Sequence, residues 1–244
     1  VRVDRSLAIP VAAPKDALPG VGGIRVQLSP SLAGGLEGVR DYLRDYPYEC
    51  LEQKTSRAVG LGDTARWEAA MRLLPVLLDD SGLARYWAYL GEGSVALTAQ
   101  LLSISAASQF AIPEGPRTRM LEALVEIAEG RRALPGTRYA GDNLLLRLQV
   151  VEALARHGRA TPAMVADLLR NPEAWPTSAL LDAVSIVQRV AAPDAAPWRT
   201  RLGAMLRNRL IYNGTRSSFG AASENMAWWL MDSPDETMAR ALLL

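Results

Sequence analysis

The sequence has 244 residues, which is long enough for one large domain or two small ones with a substantial buried core. Its 27 basic and 26 acidic residues nearly cancel, so we expect no nucleic-acid partner. The longest apolar runs are too short to cross a bilayer, and no basic-then-apolar leader opens the sequence, so we expect neither a signal peptide nor an anchor in this segment. One cysteine and one histidine exclude an internal disulfide, and we expect no metal or cofactor.

The first thirty residues differ in composition from the rest of the chain. Residues 1–23 are rich in Pro, Ala and Gly, and residues 24–28 alternate apolar and polar side chains with the period of a half-buried strand. A single strand needs a partner. We therefore expect residues 1–30 to be an extended or β segment from an adjoining domain, and residues 31–244 to form a separate helical domain.

Helical patterns dominate from about Leu36 onward. Residues 94–110 are small and apolar on nearly every face, which predicts a helix buried on all sides, whereas residues 118–129 have one apolar face. Other helix starts are predicted at Asp63, Asp142 and Thr161. Pro and Gly interrupt the pattern about every fifteen to twenty residues, which is the spacing of consecutive helical hairpins.

The end of the chain contains one exception and one irregularity. Residues 210–219 predict a small β-hairpin around Asn213-Gly214, and helix resumes near residues 225–231. The last residues, 238–244, end in three leucines, so we expect the helical domain to be truncated at its C-terminus. The predicted fold class is all-α. Alternation of fully apolar and one-sided helices suggests an α/α toroid of stacked hairpins, although an open solenoid has the same pattern.

The segment with distinctive chemistry is residues 46–57, YPYECLEQKTSR. Cys50 and Gln53 are three residues apart, so at the first turn of a helix their side chains lie on one face. A thiolate can attack the Gln53 carboxamide and expel ammonia, and a helix N-terminus is expected to lower the thiol pKa. The resulting acyl group can pass once to an external amine or hydroxyl.

This segment resembles the alpha-2-macroglobulin and complement family, in which a Cys-x-Glu-Gln run forms an internal thioester. The Tyr-Pro-Tyr lead and Thr-Ser-Arg tail resemble its bacterial branch, although Glu49 and Leu51 stand where animal relatives usually have glycine. The resemblance implies that Cys50 and Gln53 are the thioester pair and that Glu52 belongs to the motif. Residues 93–100 and 228–231 also resemble the bacterial thioester domain.

The resemblance further implies that aromatic side chains cover the thioester. Tyr46 and Tyr48, immediately upstream, are the candidates for this shielding. A bond protected in this way survives only while water is excluded from it. Release of the cover by a conformational change would then expose the acyl group to its acceptor.

The function implied by the resemblance is a protease-trapping defence module. Cleavage of a bait region elsewhere in the parent protein would expose the thioester, which then bonds covalently to amines of the attacking protease. It would act as a single-turnover trap and protease inhibitor rather than as an enzyme. The resemblance also implies a periplasmic parent that is an inner-membrane-anchored lipoprotein, with target proteases, other domains of the parent chain and a penicillin-binding protein as partners.

Two alternatives remain open on the sequence alone. One is a hydrolase on an α/α toroid that uses Cys50 with His157, or paired carboxylates such as Asp79 and Asp80. Adjacent helical residues diverge, however, so a helix-end loop is the simpler interpretation of the aspartates. His157 precedes Gly158 at a predicted helix end, where an imidazolium favours the helix dipole. The other alternative is an inert helical interaction scaffold that lacks a thioester.

Overall fold

The computed structural model describes residues 37–134, 140–166, 168–213, 216–220 and 233–244, with six isolated residues nearer the N-terminus. The predicted strand at 24–28 and the predicted helix at 225–231 lie outside the described residues. The chain divides into two compact units, Val1–Tyr42 and Leu43–Leu244. The division predicted at residue 30 stays a prediction, and the candidate site described below, which begins at Tyr46, lies within the second unit.

The described residues are predominantly helical, which confirms the all-α prediction. A short 3-10 helix, Pro172–Ala174, lies between α7 and α8. The α-helices are α1 (Glu37–Asp45), α2 (Leu51–Leu61), α3 (Thr64–Leu77), α4 (Val95–Ala107), α5 (Glu114–Ala128), α6 (Ala140–Arg156), α7 (Pro162–Ala166), α8 (Thr177–Arg189), α9 (Ala195–Arg209) and α10 (Pro234–Leu243). No helix in this described part is long and apolar enough to span a bilayer.

The predicted hairpin at 210–219 is also confirmed. Strand β1 (Leu210–Asn213) pairs antiparallel with β2 (Arg216–Phe219), with Leu210 opposite Phe219 and Asn213 opposite Arg216. The two turn residues, 214 and 215, are outside the described set. The hairpin directly continues α9, whose last residue is Arg209.

Several helices begin where their capping residues predict. The Asp63 carboxylate accepts a hydrogen bond from the Arg66 backbone N–H at 3.0 Å, and the Ser94 hydroxyl accepts one from Leu97 at 3.2 Å. Both caps satisfy backbone donors that the first turn leaves without intrahelical partners. Helix α6 begins at Ala140, so Asp142 lies inside its first turn and the prediction that Asp142 caps this helix is wrong.

Helices α4, α6 and α8 form an inner row. Helix α4 packs on α6, α6 on α8, and α8 on α10, while α5 and α9 pack outside on α6 and α8. Residues 177–187 of α8 are all buried, whereas α5 buries one face. Helix α4 is buried in its first two turns, but residues 103–107 are half-buried or exposed, so the prediction of burial on all sides is wrong for its second half. This two-layer packing is what an α/α toroid requires, and closure of the row into a ring stays a prediction.

A buried carboxylate joins three helices of the inner row. Glu152 of α6 is only 3% exposed. It accepts hydrogen bonds from Ser103 of α4 at 2.9 Å and from Ser185 of α8 at 2.7 Å, and it forms an ion pair with Arg156. A charge buried so deeply is tolerated only when it is paired and hydrogen-bonded, so this cluster fixes the relative positions of α4, α6 and α8.

Candidate functional site

The start of α2 brings together the two residues of the predicted acyl-forming pair. Cys50 is the N-cap residue, with extended backbone (φ −67°, ψ 168°), and Gln53 is the third residue of the helix. The Gln53 side-chain Oε1 accepts a hydrogen bond from the Cys50 backbone N–H at 3.1 Å. The Cys50 side chain in turn faces the Gln53 backbone N–H, so the pair forms a capping box with a thiol in place of the usual hydroxyl. The carboxamide is therefore folded back onto the residue with the thiol.

The residues around the pair hold this turn in place. The Leu51 side chain is 1% exposed, and its backbone N–H donates to the Tyr86 carbonyl at 3.0 Å. The Thr55 hydroxyl donates to the Leu51 and Glu52 carbonyls at 2.9 and 2.8 Å, and the Ser56 hydroxyl donates to the Glu52 carboxylate at 2.7 Å. The motif flanks thus fix the first turn of α2, and Glu52 lies where a negative charge favours the helix dipole.

The last residue of the motif ties α2 to the preceding helix. The Arg57 guanidinium is buried and donates to the backbone carbonyls of Leu43 and Arg44 at 2.9 and 2.8 Å. Those two carbonyls lie near the C-terminal end of α1, where the carbonyl groups have no intrahelical partner. The Arg57 side chain therefore satisfies a helix end while it sets the direction from which the chain enters Cys50.

The thiol lies in an environment that disfavours its charge. Cys50 is 6% exposed, and burial raises the pKa of its thiol, although backbone N–H groups at Gln53 and Glu52 act in the opposite direction. The Glu52 carboxylate raises this pKa further. The lowered thiol pKa expected at a helix N-terminus is therefore wrong here, because the desolvation of a buried thiolate outweighs the helix N–H groups.

Tyr86 is a site residue that the sequence analysis missed. Its side chain is half-buried, and burial raises the pKa of its phenol, while a hydrogen bond with the Ser94 side chain lowers it. The charges of Glu52 and Cys50 raise that pKa as well. Tyr86 belongs to the irregular segment between α3 and α4, which has no periodicity from which a contact with Cys50 could be predicted.

A buried aspartate organises the segment that contains Tyr86. Asp79 is 8% exposed, and its two carboxylate oxygens accept hydrogen bonds from the backbone N–H groups of Leu83 (2.9 Å) and Gly93 (2.8 Å). Arg119 of α5 donates to the Asp79 carbonyl at 2.8 Å. Both carboxylate oxygens of Asp79 thus accept hydrogen bonds from the backbone. This favours a structural role for Asp79 in the loop that follows α3 over a role in a catalytic pair with Asp80.

A glycine allows the same segment to approach α5 closely. Gly82 has a φ of +88°, which residues with a side chain rarely adopt. A Cβ at this position would lie 2.6 Å from the Arg119 carbonyl oxygen. The turn after Asp79 therefore requires glycine both for its backbone conformation and for the contact with α5.

The two tyrosines proposed as shields lie directly before Cys50 and contact each other. Their ring centroids are 5.4 Å apart at an interplanar angle of 64°, an edge-to-face arrangement. Tyr46 is half-buried, whereas Tyr48 is 61% exposed. Shielding by this pair stays a prediction. Tyr86 contacts this part of the site through its main chain, since its carbonyl accepts the Leu51 N–H.

His157 has a structural contact of its own. It lies just after α6, and its ring Nε2 is 2.9 Å from the Leu102 carbonyl oxygen of α4. Gly158 follows with a φ of +65°, as expected of a glycine that ends a helix. The ring thus links the end of α6 to α4. Within the described residues, no group of three His, Cys, Asp or Glu side chains could hold a metal ion.

Comparison with known proteins identifies a similar fold. The sequence matches no protein-family profile, and no curated protein sequence is significantly similar to it. The structure is similar to part of the cryo-EM structure of the native conformation of E. coli alpha-2-macroglobulin, with a TM-score of 0.57 and 16% sequence identity over 84% of this chain. The chain spans 15% of the length of that protein. At this identity the match establishes an alpha-2-macroglobulin-like fold.

Proposed function

We propose that this chain is the thioester-bearing part of an alpha-2-macroglobulin-like protein that traps proteases covalently. The observation that supports the proposal is the capping box at the start of α2, which folds the Gln53 carboxamide back onto Cys50. The similar fold of E. coli alpha-2-macroglobulin supports it at a coarser level. The Cys-x-Glu-Gln resemblance adds the identity of the reacting atoms.

The chemistry follows from the two side chains. The Cys50 sulfur attacks the Gln53 carboxamide carbon, the C–S bond forms, and the amide nitrogen leaves as ammonia with the thiol proton. An amine of the target later attacks the same carbon, so that a C–N bond forms, the C–S bond breaks and Cys50 recovers a thiol. The capping box orients the two reacting groups before the first step, since thiol and carboxamide already share one helix turn. Each chain reacts once.

Two features of the site would lengthen the life of the thioester. A thiol whose pKa is raised is a poorer leaving group, so burial of Cys50 slows attack by water as well as excluding it. The Tyr86 carbonyl accepts the N–H of Leu51, the residue after Cys50, and its side chain is half-buried, so we propose Tyr86 as a cover in addition to Tyr46 and Tyr48. Because Tyr48 is 61% exposed, it would cover the thioester only in a different side-chain position or together with a neighbouring domain.

The biological setting is proposed on the same resemblance. The parent protein would be periplasmic and lipid-anchored in the inner membrane, with further domains that contain the protease-sensitive bait. Target proteases would be covalent partners, and a penicillin-binding protein would be a neighbour. Without a histidine beside the acyl group, the thioester should prefer amines such as target lysines, and His157 is engaged with α4 instead.

Intact mass spectrometry combined with thiol alkylation tests the proposal. The thioester makes the chain lighter by one ammonia, blocks Cys50 from alkylation, and on addition of methylamine yields a methylamide at Gln53 with a free thiol. A thioester hydrolysed before analysis leaves glutamate at position 53, which Cys50→Ser would not produce. A wild-type chain with an intact carboxamide and a freely alkylated Cys50 would remove the proposed function.

A further inference from the structure

A lysine lies next to the reactive pair. The sequence contains two lysines, Lys15 and Lys54, and Lys54 directly follows Gln53. It is also four residues after Cys50, and helical side chains lean toward the N-terminus, over the preceding turn. Its Nζ reaches the carboxylate of Glu49, with 3.0 Å between Nζ and Oε2. The ammonium therefore extends back past the turn that contains Cys50.

The ion pair lies in a groove lined by residues of α2 and α3. Glu49 and Lys54 line a cavity of about 140 Å³ between α2 and α3, together with Arg57 and Arg66. The Lys54 hydrogen bond and charge lower the pKa of the Glu49 carboxyl, and the two arginines contribute, so the carboxylate stays charged at neutral pH. Glu49 thus offers Lys54 a fixed anionic partner in the α2–α3 groove.

An amine in this position threatens the proposed thioester. If the unprotonated Nζ attacked the Gln53 acyl carbon, a C–N bond would form and the C–S bond would break. The amine proton would pass to the Cys50 thiolate, and the product would be an internal amide with a free thiol. That product is isomeric with the thioester but can no longer capture a target.

We propose that Glu49 is a positioning residue that holds Lys54 in the α2–α3 groove and so protects the acyl group from internal capture. The inference rests on the proposed function, since without a thioester there is nothing to protect. The Lys54 and Glu49 side chains are 32% and 61% exposed, and pairs of this kind contribute little to folding stability. The effect to be sought is therefore chemical rather than structural.

The experiment compares the rate of internal capture in Glu49→Gln with that in wild type. The internal amide is recognised by three properties together: the mass of the thioester, an alkylatable Cys50, and no tryptic cleavage after residue 54. Hydrolysis is distinguished because it adds one water and leaves that cleavage intact. Since an exposed ion pair restrains its partners weakly, we expect Glu49→Gln to form the amide about two- to fivefold faster.

Two controls make the result specific. Lys54→Arg keeps the positive charge but supplies no amine, so Glu49→Gln combined with Lys54→Arg should form no internal amide. Glu129→Gln removes an equivalent exposed carboxylate, which pairs with Arg131 just after the end of α5, and should leave the rate unchanged. Equal rates in Glu49→Gln and wild type would overturn the role of Glu49. Absence of a methylamine-sensitive species in wild type would instead overturn the proposed function itself, before any variant is compared.

Discussion

Replacing Asp79 by alanine tests the organisation of the segment between α3 and α4. The change removes both acceptors of the Leu83 and Gly93 backbone N–H groups, which lie 2.9 and 2.8 Å from the carboxylate oxygens. A hydrogen bond to a charged group contributes about 1.5–3 kcal/mol, so the loss of two should lower the free energy of unfolding by about 3–6 kcal/mol. For a chain of this size the midpoint of thermal unfolding should fall by roughly 10–20 °C.

The neighbouring residue provides the matched control. Asp80 is exposed, and Asp80→Ala should change the free energy of unfolding by less than about 0.5 kcal/mol. Urea unfolding followed by circular dichroism measures both variants. Because the same segment contains Tyr86, Asp79→Ala should also hydrolyse the proposed thioester faster than Asp80→Ala does. Equal stabilities for the two variants would refute the structural role given to the buried carboxylate.

Three further outcomes are expected. Tyr86→Ala should speed spontaneous loss of the thioester, which is measured as the appearance of free thiol with time. Tyr89→Ala, at an 80% exposed position, should leave this rate unchanged, and equal rates for the two variants would exclude Tyr86 as a cover. In chains whose Cys50 is a free thiol, its raised pKa should place the alkylation midpoint above that of an ordinary thiol, and a midpoint at or below the ordinary value contradicts this. The stability that this thiol contributes below the ordinary pKa near 9.0 should be lost as the pH rises further. Glu152→Ala should lower the free energy of unfolding by about 3–5 kcal/mol, because its buried hydrogen-bond and ion-pair partners lose the carboxylate. Glu122→Ala, on the exposed face of α5, should leave the free energy of unfolding nearly unchanged. Similar unfolding curves for the two variants would argue against a structural role for the Glu152 cluster.

Local sequence chemistry predicted much of the helical framework. Asp63 and Ser94 cap α3 and α4 as their side-chain oxygens require, and the apolar stretch after Ser94 forms a helix that is buried in its first two turns. The Cys50–Gln53 spacing also predicted that the pair shares a helix turn. These features depend on residues within one turn of each other, which is why they can be recognised without the tertiary structure.

The predictions from sequence that were wrong or incomplete concern features that depend on contacts between distant segments. The thiol pKa was predicted from the helix start alone, but the buried environment that raises it is supplied by tertiary packing. Tyr86 reaches the site through an irregular segment whose course is set by Asp79, Gly82 and Arg119, and no local pattern encodes that path. Long-range hydrogen bonds of single side chains therefore decide the surroundings of the pair, while periodicity decides only the helices.

The Gln53 side-chain carbonyl has two roles. Its oxygen accepts the Cys50 N–H in the capping box at the start of α2, and its carbon would form the bond to the target. The product amide keeps this oxygen, but a bulky target on the same carbon draws the side chain away from the helix start, so we expect its hydrogen bond with the Cys50 N–H to weaken. The first turn of α2 then frays more readily than in the unreacted chain. Amide hydrogen exchange at residues 50–53 should therefore be faster in chains that are joined to a target than in chains that have not yet reacted, and it would report whether the single reaction has taken place.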